Sequence, residues 1–213
     1  QETTVYGTDL YGRKTLHLLL KKLCQIKGIR WIRVLYCYPE EIYDELIQVM
    51  KEEPKICHYL DLPIQHASDK ILRRMGRRTS KQQLIDIITK LRHEIPDIVL
   101  RTSLITGFPG ETEEDHQELM EFVDEIEFDR LGVFTYSPEE GTPAETMEGQ
   151  VPEEVKEARR DEIMELQQEI SFDKGNDRIG QEVLVMIEGK VSGESAYIGR
   201  TYGDAPKVDG YIF

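Results

Sequence analysis

At 213 residues, with 39% hydrophobic and 32% charged side chains, the chain can bury one large domain, or one domain with a small appendage. It is too apolar for wholesale disorder. A formal net charge of −14, from 27 Lys and Arg against 41 Asp and Glu, argues against generic duplex binding and direct nucleic-acid contact, and favours a basic partner.

No apolar run is long enough to span a membrane. The opening QETTVYGTDLYGRK has no basic-then-apolar leader, and it lacks an initiator Met. That start predicts a chain that begins part-way through a longer protein. Cys24, Cys37 and Cys57 make no CxxC-type pair, which favours a reducing, cytoplasmic setting, and Cys24 and Cys37 read as small buried hydrophobes.

In chain order, Leu16, Leu19, Leu20 and Leu23 form the first helical stripe. The run Trp31–Cys37 has strand length and β-branched or aromatic content. Ile42, Leu46, Val49 and Met50 predict a second helix, opened by Pro39 and closed before Pro54. A strand follows at Cys57–Pro63. Leu84, Ile87, Ile88 and Leu91 predict a helix behind the capping box Ser80-x-x-Gln83, stopped by Pro96. A third strand, Ile98–Thr106, leads to a helix on Leu119, Phe122, Val123 and Ile126, with Thr112 as N-cap and acids in the first turn. Arg130–Ser137 is the fourth strand.

Such alternation predicts an α/β fold with a parallel sheet, whose ligands bind at the carboxyl ends of the strands. Four loops then share one rim: Tyr38–Glu40, Ile64–Asp69, Gly107–Thr112 and Pro138–Ala144. From Pro152 to about Lys174 sparse apolar positions (Val155, Ile163, Leu166, Ile170) predict a connecting helix on the domain surface. The final stretches EVLVMIEGK, SAYIGRTYG and VDGYIF predict short strands of a small β-barrel, too few to close it. The expected organisation is residues 1–150, 151–175 and 176–213.

Several features carry chemistry, each with a plainer alternative. Gly107-Phe108-Pro109-Gly110 joins a strand to a helix, where backbone and unpaired amides can approach a ligand, or it is an ordinary turn. Gln65 and His66 sit at a strand end with Ser68 as a helix cap, and a lone His is commonly structural. Arg101, inside a strand, is either a salt-bridged core residue or an anion-binding group. Lys70–His93 holds eight Lys and Arg against one acid, and Glu111–Asp129 holds ten acids and no Lys or Arg. Both read as solvated helix faces, with the basic one also a candidate substrate contact. No catalytic triad or metal-ligand set is readable from spacing.

Taken together, YLDLPIQHASDKILRRMGRRTS, LRTSLITGFPGETEEDH and FTYSPEEGTPA resemble the radical S-adenosylmethionine methylthiotransferases across nearly the whole chain. The closing APKVDG is similar to part of a TRAM barrel. The spellings around Gln65-His66-Ala67-Ser68, Arg101-Thr102-Ser103 and Tyr136-Ser137-Pro138 favour the branch that modifies an aspartate β-carbon in a small-subunit ribosomal protein. The alternatives are the tRNA-modifying branch and a non-catalytic binding module.

The resemblance implies a partial (β/α) TIM-like radical SAM barrel followed by an incomplete TRAM-like β-barrel. It implies S-adenosylmethionine, cleaved reductively on one 4Fe–4S cluster, and a second cluster that delivers sulfur. The cysteine motif for either cluster lies outside this chain, which alone is expected to be inactive. By motif position the cofactor contacts are Gln1, Thr3, Gln65, Arg101, Ser103, Gly107, Phe108, Pro109, Gly110, Tyr136 and Ser137. No catalytic side chain or metal ligand is assigned. The implied partners are the ribosomal protein and the assembling ribosome, with no membrane.

Overall fold

The structure, a computed structural model, describes residues 2–213; Gln1, an expected cofactor contact, lies outside them. A short helix, α1 (Thr8–Tyr11), precedes α2 (Leu16–Cys24). Four strands follow, β1 (Ile32–Val34), β2 (Ile56–Asp61), β3 (Val99–Thr106) and β4 (Arg130–Thr135), interleaved with α3 (Asp44–Glu52), α4 (Asp69–Arg74), α5 (Lys81–Glu94) and α6 (Glu113–Ile126). They form one parallel sheet in the order β1-β2-β3-β4, so each crossover returns to the adjacent strand. The long helix α7 (Glu153–Asn176) leads to an antiparallel pair, β5 (Met186–Lys190) and β6 (Tyr197–Arg200), extended by a bridge between Gly199 and Ile212.

The helices cover one face of the sheet. On β3 the residues pointing at them, Leu100, Thr102, Leu104 and Thr106, are buried, and the intervening Arg101, Ser103 and Ile105 are half-buried. Core side chains from α2, α3, α5 and α6, including Leu46, Met50, Leu84, Leu91, Leu119 and Phe122, pack beneath. The other face of β2 and β3 is mixed: Cys57, Tyr59 and Val99 lie in a second apolar cluster, and Asp61, Arg101, Ser103 and Ile105 line a cavity.

Four expectations are corrected. The first strand is short, since Tyr36 adopts a left-handed φ of 59° that ends regular pairing before Cys37. Pro39 opens a separate 3-10 turn, Pro39–Glu41, and α3 begins only at Asp44. Ser68 precedes α4 without capping it, because its hydroxyl donates to Asp115 Oδ1 at 2.7 Å. The fourth concerns α7, whose packed face is not the sparse apolar set Val155, Ile163, Leu166 and Ile170. Lys156, Arg159, Ile163, Gln167 and Ile170 form a buried stripe at spacings of three and four, packed on α6, β3 and β4. Three of those five residues are charged or polar, which hid the stripe from an apolar reading.

The two charge-rich stretches meet at three points. Lys70 Nζ pairs with Asp115 Oδ2 at 2.5 Å, Lys81 Nζ with Glu118 at 3.4 Å, and Arg92 donates to the carbonyl of Glu127 at 2.9 Å. Beyond β6 the segment Thr201–Asp209 runs against the sheet's open face. There Arg130 Nη2 pairs with Asp204 at 2.8 Å, and the Tyr202 hydroxyl donates to Asp97 at 2.8 Å. Trp31, Leu35 and Tyr202 pack there on Cys57, Tyr59, Val99 and Ala205.

Candidate functional site

A cavity of about 740 Å³ opens on the sheet face away from the helices. Its wall climbs β3 through Arg101, Ser103 and Ile105, which alternation places on one face. Gln65, Phe108, Tyr136 and Ser137 form the upper rim, and Asp61, Ala205 and Val208 lie lower down. The volume is that of a pocket for a small molecule or cofactor.

Of the expected contacts, the cavity brings together Gln65, Arg101, Ser103, Phe108, Tyr136 and Ser137. Gln65 is held in a left-handed conformation (φ 72°) by bonds on both sides. Its amide donates to the Ser103 carbonyl at 3.0 Å, and its carbonyl accepts from Ile105 at 2.8 Å. Thr3 stands outside the lining, pinned by its amide to Tyr36 O at 3.0 Å and by its hydroxyl to Leu35 O at 2.6 Å.

The glycine loop behaves differently from expectation. Its amides point inward, so it offers no free N–H nest. Gly107 N and Phe108 N donate to Glu111 Oε2 at 2.8 and 3.3 Å, and Gly110 N donates to Gly149 O at 2.7 Å. Glycine at 107 is required, because at φ +71° a Cβ would fall 2.1 Å from Lys156 Cγ on α7. Gly107, Pro109 and Gly110 are absent from the lining and shape the loop that presents Phe108.

Glu111 is the buried anion that organises this loop. Its other oxygen, Oε1, accepts from Arg159 Nη1 at 2.9 Å. His66, fully buried, accepts from Ser68 N at 2.9 Å through Nδ1 and directs Nε2 toward Glu111 Oε2 at 3.6 Å, off the cavity. Lys156 Nζ donates to the Tyr136 carbonyl at 2.9 Å and lies 5.4 Å from that ring's centroid. Glu111, Lys156 and Arg159 were not among the expected site residues. Lys156 and Arg159 had one signal, the periodicity of α7 counted with its charged positions, and Glu111 had its place at the end of the glycine loop.

Tyr136 and Phe108 meet edge to face, centroids 5.2 Å apart at 71°. The Tyr136 hydroxyl is buried without a hydrogen-bond partner among the described residues. Arg101 is ion-paired to Asp61 at 2.9 Å and Asp209 at 3.7 Å, which makes it a salt-bridged residue in the cavity wall.

An aromatic corner with an unspent hydroxyl, in a cavity of this size, fits an adenosyl cofactor. An iron–sulfur cluster does not fit the described residues. No group of three or more His, Cys, Asp or Glu converges to hold a metal. The three cysteines are buried and separate, and burial pushes the Cys37 thiol far above its usual range, against the thiolate a cluster needs.

The Radical SAM superfamily model matches residues 2–123, and a TRAM domain model matches residues 179–213. All 213 residues align at 65% identity with the protein of Lachnoclostridium phytofermentans named ribosomal protein uS12 methylthiotransferase RimO, covering 48% of it. A protein of the same name from Clostridium perfringens aligns at 57% identity, with 47% of it covered. The chain thus spans about half the length of these curated relatives. Coproporphyrinogen III oxidase (HemN) of Escherichia coli, a radical SAM enzyme, shares the fold with a TM-score of 0.58 at 20% identity, over 73% of this chain and 36% of that one. The superfamily model covers more than half of the chain, the parallel sheet and its cavity agree with it, and this chain belongs to the radical SAM superfamily.

Proposed function

We propose that this chain forms the cofactor-binding part of a methylthiotransferase that modifies an aspartate β-carbon of ribosomal protein uS12. The observation that carries the reading is 65% identity, sustained over all 213 residues, to a protein with that name. Residues 1–150 form the radical SAM portion, 151–175 the linking helix and 176–213 the TRAM portion. A net charge of −14 suits a basic substrate protein, and the setting is the cytosol, during or near ribosome assembly.

S-adenosylmethionine supplies the radical and methyl-transfer chemistry when bound. Phe108 and Tyr136 would pack on its adenine, and the Tyr136 hydroxyl, unpaired among the described residues, would donate a hydrogen bond to it. Gln65 and Ser103 would fix the polar atoms beside it, and Ile105 would give the wall an apolar side. Thr3 anchors the strand end, and the Gly107–Gly110 loop holds Phe108 in place. Ligands for the two 4Fe–4S clusters are not among the described residues, and we assign none of them to this chain.

The test is to produce the polypeptide of the complete reading frame, assemble its clusters, and supply S-adenosylmethionine with purified uS12 or with tRNA. A methylthio mass increment on a uS12 aspartate is expected. Modification of tRNA alone overturns the substrate assignment. A reading frame without a CxxxCxxC motif overturns the activity and leaves a binding module.

A further inference from the structure

Among the described residues Arg101 is the one Lys or Arg lining the cavity, and two carboxylates from different parts of the chain hold it. Asp61, beside it in the β2–β3 register, accepts from Nη1 at 2.9 Å. Asp209, from the C-terminal segment, places Oδ1 3.7 Å from Nε. Its Oδ2 accepts from the Tyr59 hydroxyl and from Ala205 N, each at 2.8 Å. The Asp209 side chain is only 4% exposed. A carboxylate is costly to bury, and here every partner it has fixes its orientation toward Arg101.

The same segment contributes Ala205 and Val208 to the cavity lining, so it is part of the wall. Nη1 is hydrogen-bonded to Asp61 and Nε faces Asp209 at ion-pair distance, which leaves Nη2 with neither contact among the described residues. It lies over Gly132 of β4, 3.8 Å from where a Cβ would stand. Having no side chain, Gly132 leaves that nitrogen open.

We propose that Asp209 is a positioning residue of the cavity: it holds Arg101 against Asp61 so that Nη2 donates to a main-chain carbonyl of the peptide substrate. The proposal rests on the reading of the cavity as the site of a peptide-modifying enzyme. A carbonyl is the matching acceptor, because two carboxylates already neutralise this cation and a third would be repelled. Fixing one peptide carbonyl at the cavity floor sets which side chain of an extended segment reaches the upper part. Docking of the C-terminal segment and binding of the peptide are then linked, each strengthening the other.

The first test needs no cofactor. In the 213-residue chain the Arg101 Nε–H signal, identified by its loss in Arg101→Lys, is followed by NMR for hydrogen exchange, and docking of the segment by emission from Trp31, the single Trp. Asp209→Asn is expected to cut Arg101 protection by about tenfold while Trp31 emission stays native. Unchanged protection overturns the proposal. So does emission moving to that of the unfolded chain in Asp209→Asn together with an unaltered peptide KM in Arg101→Lys, which leaves Asp209 a folding role only.

The second test uses the cluster-loaded enzyme with uS12. Asp209→Asn and Arg101→Lys should each raise the KM for uS12 by about tenfold with little change in kcat, and the double variant should be no worse than either. Additive losses, or losses in kcat alone, overturn it. If the wild-type enzyme leaves uS12 unmodified, the function reading fails, and the first test still decides whether Asp209 orients Arg101.

Discussion

Tyr136 carries a buried hydroxyl that nothing among the described residues satisfies, an expensive state for a polar group. Removing it therefore separates folding from binding. Tyr136→Phe should leave stability unchanged or raise it by up to about 1 kcal/mol, while weakening S-adenosylmethionine binding about tenfold. Urea denaturation and equilibrium dialysis on the loaded enzyme measure the two effects. A parallel loss of both would make the hydroxyl structural.

Glu111 gives the opposite case. Its carboxylate serves two loop amides and Arg159, so Glu111→Ala leaves a buried guanidinium with only Glu113, at 3.2 Å, to pair with. A stability loss of about 3 kcal/mol is expected in urea. Arg101 shows why single residues read ambiguously in sequence. The choice between salt bridge and anion site turned on register, since Asp61 stands opposite it on the neighbouring strand.

At the scale of elements, the helices with local start signals were the readable ones. Ser80 and Gln83 form the expected reciprocal capping box on α5, and Thr112 forms another with Asp115 on α6. Thr112→Ala should cost about 1 kcal/mol, measurable by thermal unfolding. Burial alone would raise the carboxyl of Asp115, but hydrogen bonds from Lys70, Thr112 and Ser68 outweigh it and hold the group well below its usual range. A pKa depressed in the folded state gives stability that is present above about pH 4 and lost as pH falls below it. Asp115→Asn should accordingly flatten the acid side of the Tm–pH curve. An unaltered curve would remove Asp115 from the account. α7 was misread because its buried face contains Lys156, Arg159 and Gln167, whose partners come from other elements.

Across the whole molecule, the C-terminal segment ties the β5–β6 pair to the sheet through tyrosine hydroxyls on carboxylates. Burial, then its hydrogen bond to Asp97, pushes Tyr202 up to about 12, and burial with Asp209 also raises Tyr59. For groups raised in the folded state, the stabilisation is complete below the unfolded value of about 10 and is lost as pH climbs toward about 12. Trp31 emission should shift across that alkaline range as the segment undocks, and Tyr202→Phe should suppress most of the shift. Emission constant to pH 12 would count against this docking.

The sequence by itself determined the alternation of strands and helices, the parallel sheet, the caps of α5 and α6 and the identity of the rim loops. Each of these is written in local periodicity or in residues a few positions apart. Only the tertiary structure decided that the glycine loop turns its amides onto Glu111, that α7 packs its charged stripe inward, and that Asp209 reaches Arg101. Those outcomes join residues from 4 to 108 positions apart, in which a charge is buried only because a distant partner offsets its desolvation. No spacing along the chain reports such a partner.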